Sequence, residues 1–410
     1  MQGRWRGGRV KGSVVLAAAL LLAALAPAAR AQAPIATAPV VIEGVTLQQV
    51  LDAPVPLYAT ASVAEEKLRW MRDAVATALV EVPRVTGLPL PQSRLEFYLF
   101  NDPQELATLS SQLLRSPGPR VTPECFALTR QANTPRRGIY CQADGWASAE
   151  EALDYVTHEV THQVEQGDYP QRRGLAQWFN EGLAEYVQAQ VLAERGPAYA
   201  ARDRWQREAR VASALHTTGL FPLRELSSNV RWQQAAGAGW AGLIYAQSAL
   251  IVGWLADTYG LPAVIEVVRR SGGPFAFDAI FEEVFGISVE RAEEEAQSAL
   301  AADLLPRYPV GLSVFRTEAA DGSIVFHFAV VGFQPREWLE KEYRYDNGTR
   351  AEGRAPAGAR PEADRTDRVG FATWAWTSTD SPPPGASPTI YLTVHGSQGS
   401  EASQAAPLTP

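Results

Sequence analysis

At 410 residues, 46% of them hydrophobic and 11 of them tryptophan, the chain can bury a sizeable core and form more than one domain. Its formal charge of −8 falls to −13 once Arg4, Arg6, Arg9, Lys11 and Arg30 are removed with the first 31 residues. An acidic chain without a basic block is a poor fit to nucleic acid or anionic lipid surfaces, and neither is expected as a partner.

Residues 1–31 read as an export signal, with a charged start, an apolar stretch from Val14 to Leu25, and a small-residue cleavage site ending at Ala31. That stretch is too short to span a bilayer, so the mature chain is expected to be secreted or held in the periplasm or cell envelope, without a membrane span. Residues 32–57, rich in Ala, Pro and Val, read as an extended leader. Helical periodicity over 63–82 is expected to stop at Pro83, and 94–100 alternates as a strand, followed by a helix opened at Asp102-Pro103. Two short β-like pieces come next, Cys125 to Arg130 and Gly138 to Gln142. Cys125 and Cys141 are the only cysteines; in an oxidising compartment they can form one disulfide, and two separate buried thiols are the alternative.

A helix is predicted over 148–166, with Ser148 as N-cap and Glu151 three residues on. Leu153, Val156, Val160 and Val164 make its apolar stripe, and His158 and His162 fall on roughly the opposite side. The turn 167–174 leads into a helix at about 177–193, and 199–305 is predominantly helical, with Leu243 to Ala256 apolar nearly all round as in a buried helix. After Pro306 the segments 310–316, 323–331, 370–378 and 389–395 alternate as strands, which suggests a small β-sandwich-like domain over 306–398 and a disordered tail over 399–410.

The pattern that carries chemistry is His158-Glu159-Val160-Thr161-His162, followed by Glu181 in Trp178-Phe179-Asn180-Glu181-Gly182-Leu183-Ala184-Glu185-Tyr186. Histidines four apart on a helix present both imidazoles on one face, and a carboxylate from a second helix completes a His₂Glu site with a fourth position for water. Zinc suits this set, since it accepts neutral imidazole nitrogen and carboxylate oxygen and makes its bound water acidic enough to ionise near neutrality. Glu159, about 100° round the helix from His158, is placed to take a proton from that water without being a ligand. The chain has five histidines; two of them flank a Glu in this motif, while His216, His327 and His395 are scattered.

This spacing and the Asn-Glu-Gly-Leu-Ala-Glu-Tyr context resemble the gluzincin zinc metallopeptidases, in particular the thermolysin-like, peptidase MA-like domains, over roughly residues 58–305. The resemblance implies an α+β fold: a small β-sheet packed on the motif helix, a helical subdomain closing the cleft, and then the appended β domain. It implies zinc held by His158, His162 and Glu181, Glu159 as catalytic base, and a peptide or protein as substrate. It further implies that Glu185 hydrogen-bonds a ligand imidazole, with Asn180 beside it, and that Tyr245 donates to the tetrahedral oxyanion. Gly138, Ile139 and Tyr140 would form the edge strand along which a peptide adds by backbone hydrogen bonds. One departure is clear. The Gly-x-Met-Glu-Asn motif of the aminopeptidase branch is missing, which favours an endopeptidase. The alternatives are a zinc-bound, non-proteolytic module of the cell envelope and a hydrolase of a non-peptide amide or ester. Oligomeric state is not legible.

Overall fold

A computed structural model describes residues 39–42, 44–51, 55–92, 95–106, 125–128, 138–167, 174–271, 277–319, 322–354, 364–379 and 386–407. The export signal lies outside the described residues.

The first layer is a six-stranded sheet of β1 (Val40–Ile42), β2 (Val45–Leu51), β3 (Leu57–Ala59), β4 (Glu96–Phe100), β5 (Cys125–Leu128) and β6 (Gly138–Gln142), in the order β1-β2-β3-β4-β6-β5. β3, β4 and β6 run parallel, whereas β5 runs antiparallel to β6. Alternation divides the side chains. Phe97, Leu99, Ile139 and Cys141 join the main core against the helices, while Tyr58, Tyr98, Tyr140 and Phe126 stack in a ladder on the other face.

Two expectations change here. The leader is not a separate extended segment: from Val40 onward it forms β1 and β2, held by the buried Ile42 and Leu47. Gly138, Ile139 and Tyr140 are not an edge, because β6 is paired on both sides; among the described strands the edge next to it is β5.

Helix α1 (Glu65–Thr86) runs through Pro83 and ends at Gly87, whose positive φ and N–H to the Pro83 carbonyl close the last turn. Pro83 costs one backbone donor but falls in that last turn, so the helix survives it. Residues 103–106 are helical, as expected after Asp102; residues 107–124 lie outside the described residues.

The motif helix is α2 (Ala149–Gln166), and Ser148 caps it by accepting from the Glu151 N–H at 3.3 Å. Next come α3 (Gln177–Arg195) and α4 (Pro197–His216), then α5 (Asn229–Ala235), a π-helical stretch Ala236–Trp240, and α6 (Ala241–Tyr259). α7 (Leu261–Arg270), α8 (Phe277–Phe285) and α9 (Val289–Arg307) complete the helical half. The run Asn229–Tyr259 is long and apolar enough to cross a membrane, yet Leu243, Ile244, Ile251, Val252 and Leu255 lie in the main core.

After α9, a four-stranded sheet forms in the order β10-β11-β8-β7 from β7 (Gly311–Glu318), β8 (Ile324–Val331), β10 (Gly353–Arg354) and β11 (Ala372–Ser378). A three-stranded sheet forms in the order β13-β12-β9 from β9 (Leu339–Tyr345), β12 (Thr389–Gly396) and β13 (Glu401–Pro407). They share a second core containing Phe328, Trp374, Trp376, Ile390 and Leu392. The expected disordered tail is therefore corrected: residues 401–407 pair with β12 from Thr389↔Pro407 to His395↔Glu401, and the buried Glu337 carboxylate holds the turn before them through the Gln398 and Ser400 amides.

Candidate metal centre

α2 and α3 bring the motif residues together. Nothing in the α3 side chains caps its start; instead the Gln177 and Trp178 amides donate to the carbonyls of Ser227 and Leu226. Further along, Gly182 lets α3 lie against α6, since a Cβ there would meet the Ser248 carbonyl oxygen at 2.5 Å. These contacts fix Glu181 over the two rings.

His158 Nε2 lies 3.1 Å from His162 Nε2 and 3.2 Å from Glu181 Oε2. His162 Nε2 lies 3.4 Å from the same oxygen. A tetrahedral ion with bonds of about 2.0–2.1 Å needs ligand atoms roughly 3.3–3.4 Å apart, so three corners of such a site are laid out. Among the described residues, this is the one group of three or more His, Cys, Asp or Glu so gathered. His216, His327 and His395 instead pair singly, with the Tyr308 carbonyl, Thr317 and Glu401.

Proton positions are set by the outer partners. His158 Nδ1 faces two oxygens, Glu185 Oε1 at 3.1 Å and Gln188 Oε1 at 3.2 Å. It therefore carries the hydrogen and turns the Nε2 lone pair inward. His162 Nδ1 lies 3.0 Å from Glu165 Oε2, which accepts its hydrogen and orients that ring likewise; the Asn180 side-chain nitrogen, itself a donor, lies 3.1 Å from the same atom. Gln177 takes the other oxygen of Glu181 at 2.6 Å and leaves Oε2 for the rings. Three lone pairs then converge, and they repel one another unless a cation stands between them.

The surroundings point the same way. Asp154, Glu159, Glu165 and Glu181 are buried around the rings, Glu185 is nearly so, Asp203 is partly buried, and Arg207 is the guanidinium paired with the last two. Buried carboxylates in such excess are costly without further positive charge. In the protein alone, protons supply it. Burial opposes an imidazolium, but Glu181 and Glu165 outweigh burial and push His162 up to about 10, and Glu181 and Glu185 raise His158 as well. Burial also opposes the charge on Glu181, yet the two rings hold it well below the ordinary carboxylate range. The donor set fits a divalent, zinc-like ion.

Glu159 sits at the sheet edge. Burial raises its pKa, partly offset by the two imidazoles, and its carboxyl accepts the Ala127 N–H of β5. Cys125 and Cys141 are disulfide-bonded with Cα atoms 4.1 Å apart, the spacing of a non-hydrogen-bonded pair. Two residues on, Ala127↔Ile139 has the same character, so the Ala127 amide points away from β6, off the sheet and onto Glu159.

Tyr245, in the second turn of α6 after the π-helical stretch, stands beside His158 with ring centroids 6.1 Å apart. Trp232 packs edge-on against it, with ring centroids 5.0 Å apart. Burial and the nearby Glu181 keep the phenol protonated, well above its ordinary pKa.

Sequence reasoning placed the three converging residues, Glu159, Asn180, Glu185 and Tyr245, and missed Gln177, Gln188, Glu165, Asp154, Arg207 and Trp232. Two signals were available. Gln177, Glu181, Glu185 and Gln188 share one face of α3 at helical spacing, and Glu165 comes three residues after His162.

No protein-family model matches the chain, and no curated protein matches it. Among solved structures, it is similar to the crystal structure of an aminopeptidase N family protein from Idiomarina loihiensis, at 12% identity and a TM-score of 0.43, covering 89% of this chain and 70% of that one. It is also similar to yeast LTA4 hydrolase in complex with bestatin, at 10% identity and a TM-score of 0.36, covering 64% of this chain and 39% of that one.

Proposed function

We propose that this chain is an exported zinc metallopeptidase of the thermolysin-like gluzincin type that cleaves internal bonds of a peptide or protein. The observation that carries the reading is the triangle of His158 Nε2, His162 Nε2 and Glu181 Oε2, with edges of 3.1, 3.2 and 3.4 Å and every outer nitrogen or oxygen already engaged.

A zinc ion held there would supply Lewis acidity and a water that ionises near neutrality. Glu159, buried and adjacent to His158, takes the proton of the attacking water and hands it to the leaving amine. Tyr245, kept protonated beside His158 and packed against Trp232, donates to the carbonyl oxygen as negative charge develops there. The side of β5 that pairs with no described strand is where an extended peptide would lie, next to Glu159. Preference for internal bonds is supported by the missing amino-terminus motif. Export is supported by the signal-like residues 1–31 and by a disulfide of the kind that persists in oxidising compartments.

A peptide-library digest beside intact proteins tests this. The wild type should cut internal bonds, and Glu159→Gln should lose on the order of 10²–10⁴ in kcat while retaining its zinc. Equal cleavage by the two proteins, or release of single N-terminal residues alone, contradicts the proposal.

A further inference from the structure

We infer that Gln188 is a positioning residue for His158, a second acceptor for its Nδ1–H that can stand in for Glu185; the inference rests on the zinc-site reading above. Two branches leave that nitrogen. The charged one runs from Glu185 Oε1 at 3.1 Å through Glu185 Oε2 to Arg207 at 2.5 Å and on to Asp203 at 2.7 Å. The other runs from Gln188 Oε1 at 3.2 Å through the Gln188 amide nitrogen to Asp154, whose second oxygen accepts the Tyr199 hydroxyl at 2.9 Å.

The second branch is built rather than incidental. Gln188 and Asp154 are 4% and 8% exposed, so water does not compete for their polar atoms. Asp154 accepts the Gln188 NH₂, which leaves the amide oxygen to face the imidazole. Asp154 lies one turn before His158 on α2, Gln188 comes from α3 and Tyr199 from α4, so three helices fix the angle of one ring. Glu185, meanwhile, shares its charge with a guanidinium and is a weaker acceptor for it. With both branches present, His158 keeps the same tautomer when either one is lost.

The test is zinc affinity by chelator competition, with the visible spectrum of the Co²⁺ protein, for wild type, Glu185→Gln, Gln188→Leu and the double variant. Each single change should cost less than about tenfold in affinity and leave the Co²⁺ spectrum nearly unchanged. The double variant should cost about 100-fold or more, exceed the product of the singles, and alter the spectrum. If Gln188→Leu does not fold as judged by thermal unfolding, Asp154→Asn in the Glu185→Gln background replaces it, because an Asn at 154 can donate to the Gln188 oxygen and draw it off the ring. A double variant no weaker than Glu185→Gln, or no weaker than the product of the singles, overturns the inference while the metal site stands. A wild type that binds neither zinc nor cobalt removes both.

Discussion

His162 shows how much a single ring depends on its neighbours. Burial alone would make it hard to protonate; Glu181 and Glu165 reverse that and carry it up to about 10. Its folded pKa then lies above an unfolded value of about 6.5, so in zinc-free protein its stabilisation is complete below that value and is lost as pH climbs through about 10. Asp154, pushed up to about 8 mainly by burial, loses stability in the same direction at lower pH. Zinc-free protein should therefore fall in Tm as pH rises from about 6.5 to 10, with zinc-loaded protein much flatter. Zinc uptake near pH 7.5 should release about two protons, read by calorimetry in buffers of different ionisation enthalpy. Uptake without proton release contradicts the assignment. The histidines and Glu181 were legible in sequence because helical spacing alone brings the rings together. Asp154 and Trp232 were not, because each meets its partner only when separate helices pack together.

Among elements, the contact between α3 and α6 decides the most, since α3 carries Glu181 and α6 carries Tyr245. Gly182 permits it. Gly182→Ala forces a Cβ to within 2.5 Å of a backbone oxygen and 2.8 Å of the Val252 side chain, and backbone cannot rotate out of the way. Overpacking of this kind costs about 1–3 kcal/mol, so the variant should unfold several degrees lower and lose activity beyond its loss of stability. Unchanged Tm and turnover would contradict the role given to this contact. Helices were read well from the chain because their stripes are long. Strands were read less well. β9 carries three charged residues in a row, Glu340, Lys341 and Glu342, with Lys341 buried over the Trp374 ring, and β13 turns only Ala402 and Ala406 inward, so neither shows the apolar alternation of a strand. The edge strand was misassigned because a sheet's order is not written in any one strand.

On the scale of the whole molecule, the β region after Pro306 is less separate than its composition suggests. Ala329, Val331, Val369 and Phe371 belong to the same core as the helices, and Ser213 on α4 accepts the Gly332 amide at 2.8 Å and donates to the Val369 carbonyl at 2.6 Å. Trp205 stacks on Phe315 and donates to Ser313 at 2.9 Å, and Arg210 lies over the Phe371 ring. Removing the β strands would strip apolar surface from the metal domain itself. Calorimetry should show one cooperative transition for the mature chain, with calorimetric and van't Hoff enthalpies equal; two resolved transitions would show that the halves fold independently.

All of this turns on whether the converging imidazoles and carboxylate hold an ion. The direct test is the metal content of the mature protein after zinc loading and exhaustive dialysis, beside His162→Ala treated identically. About one zinc per chain in the wild type, removed by chelator and lost from the variant, is the expected result. A wild type that retains no zinc, or a variant that retains as much, contradicts the account.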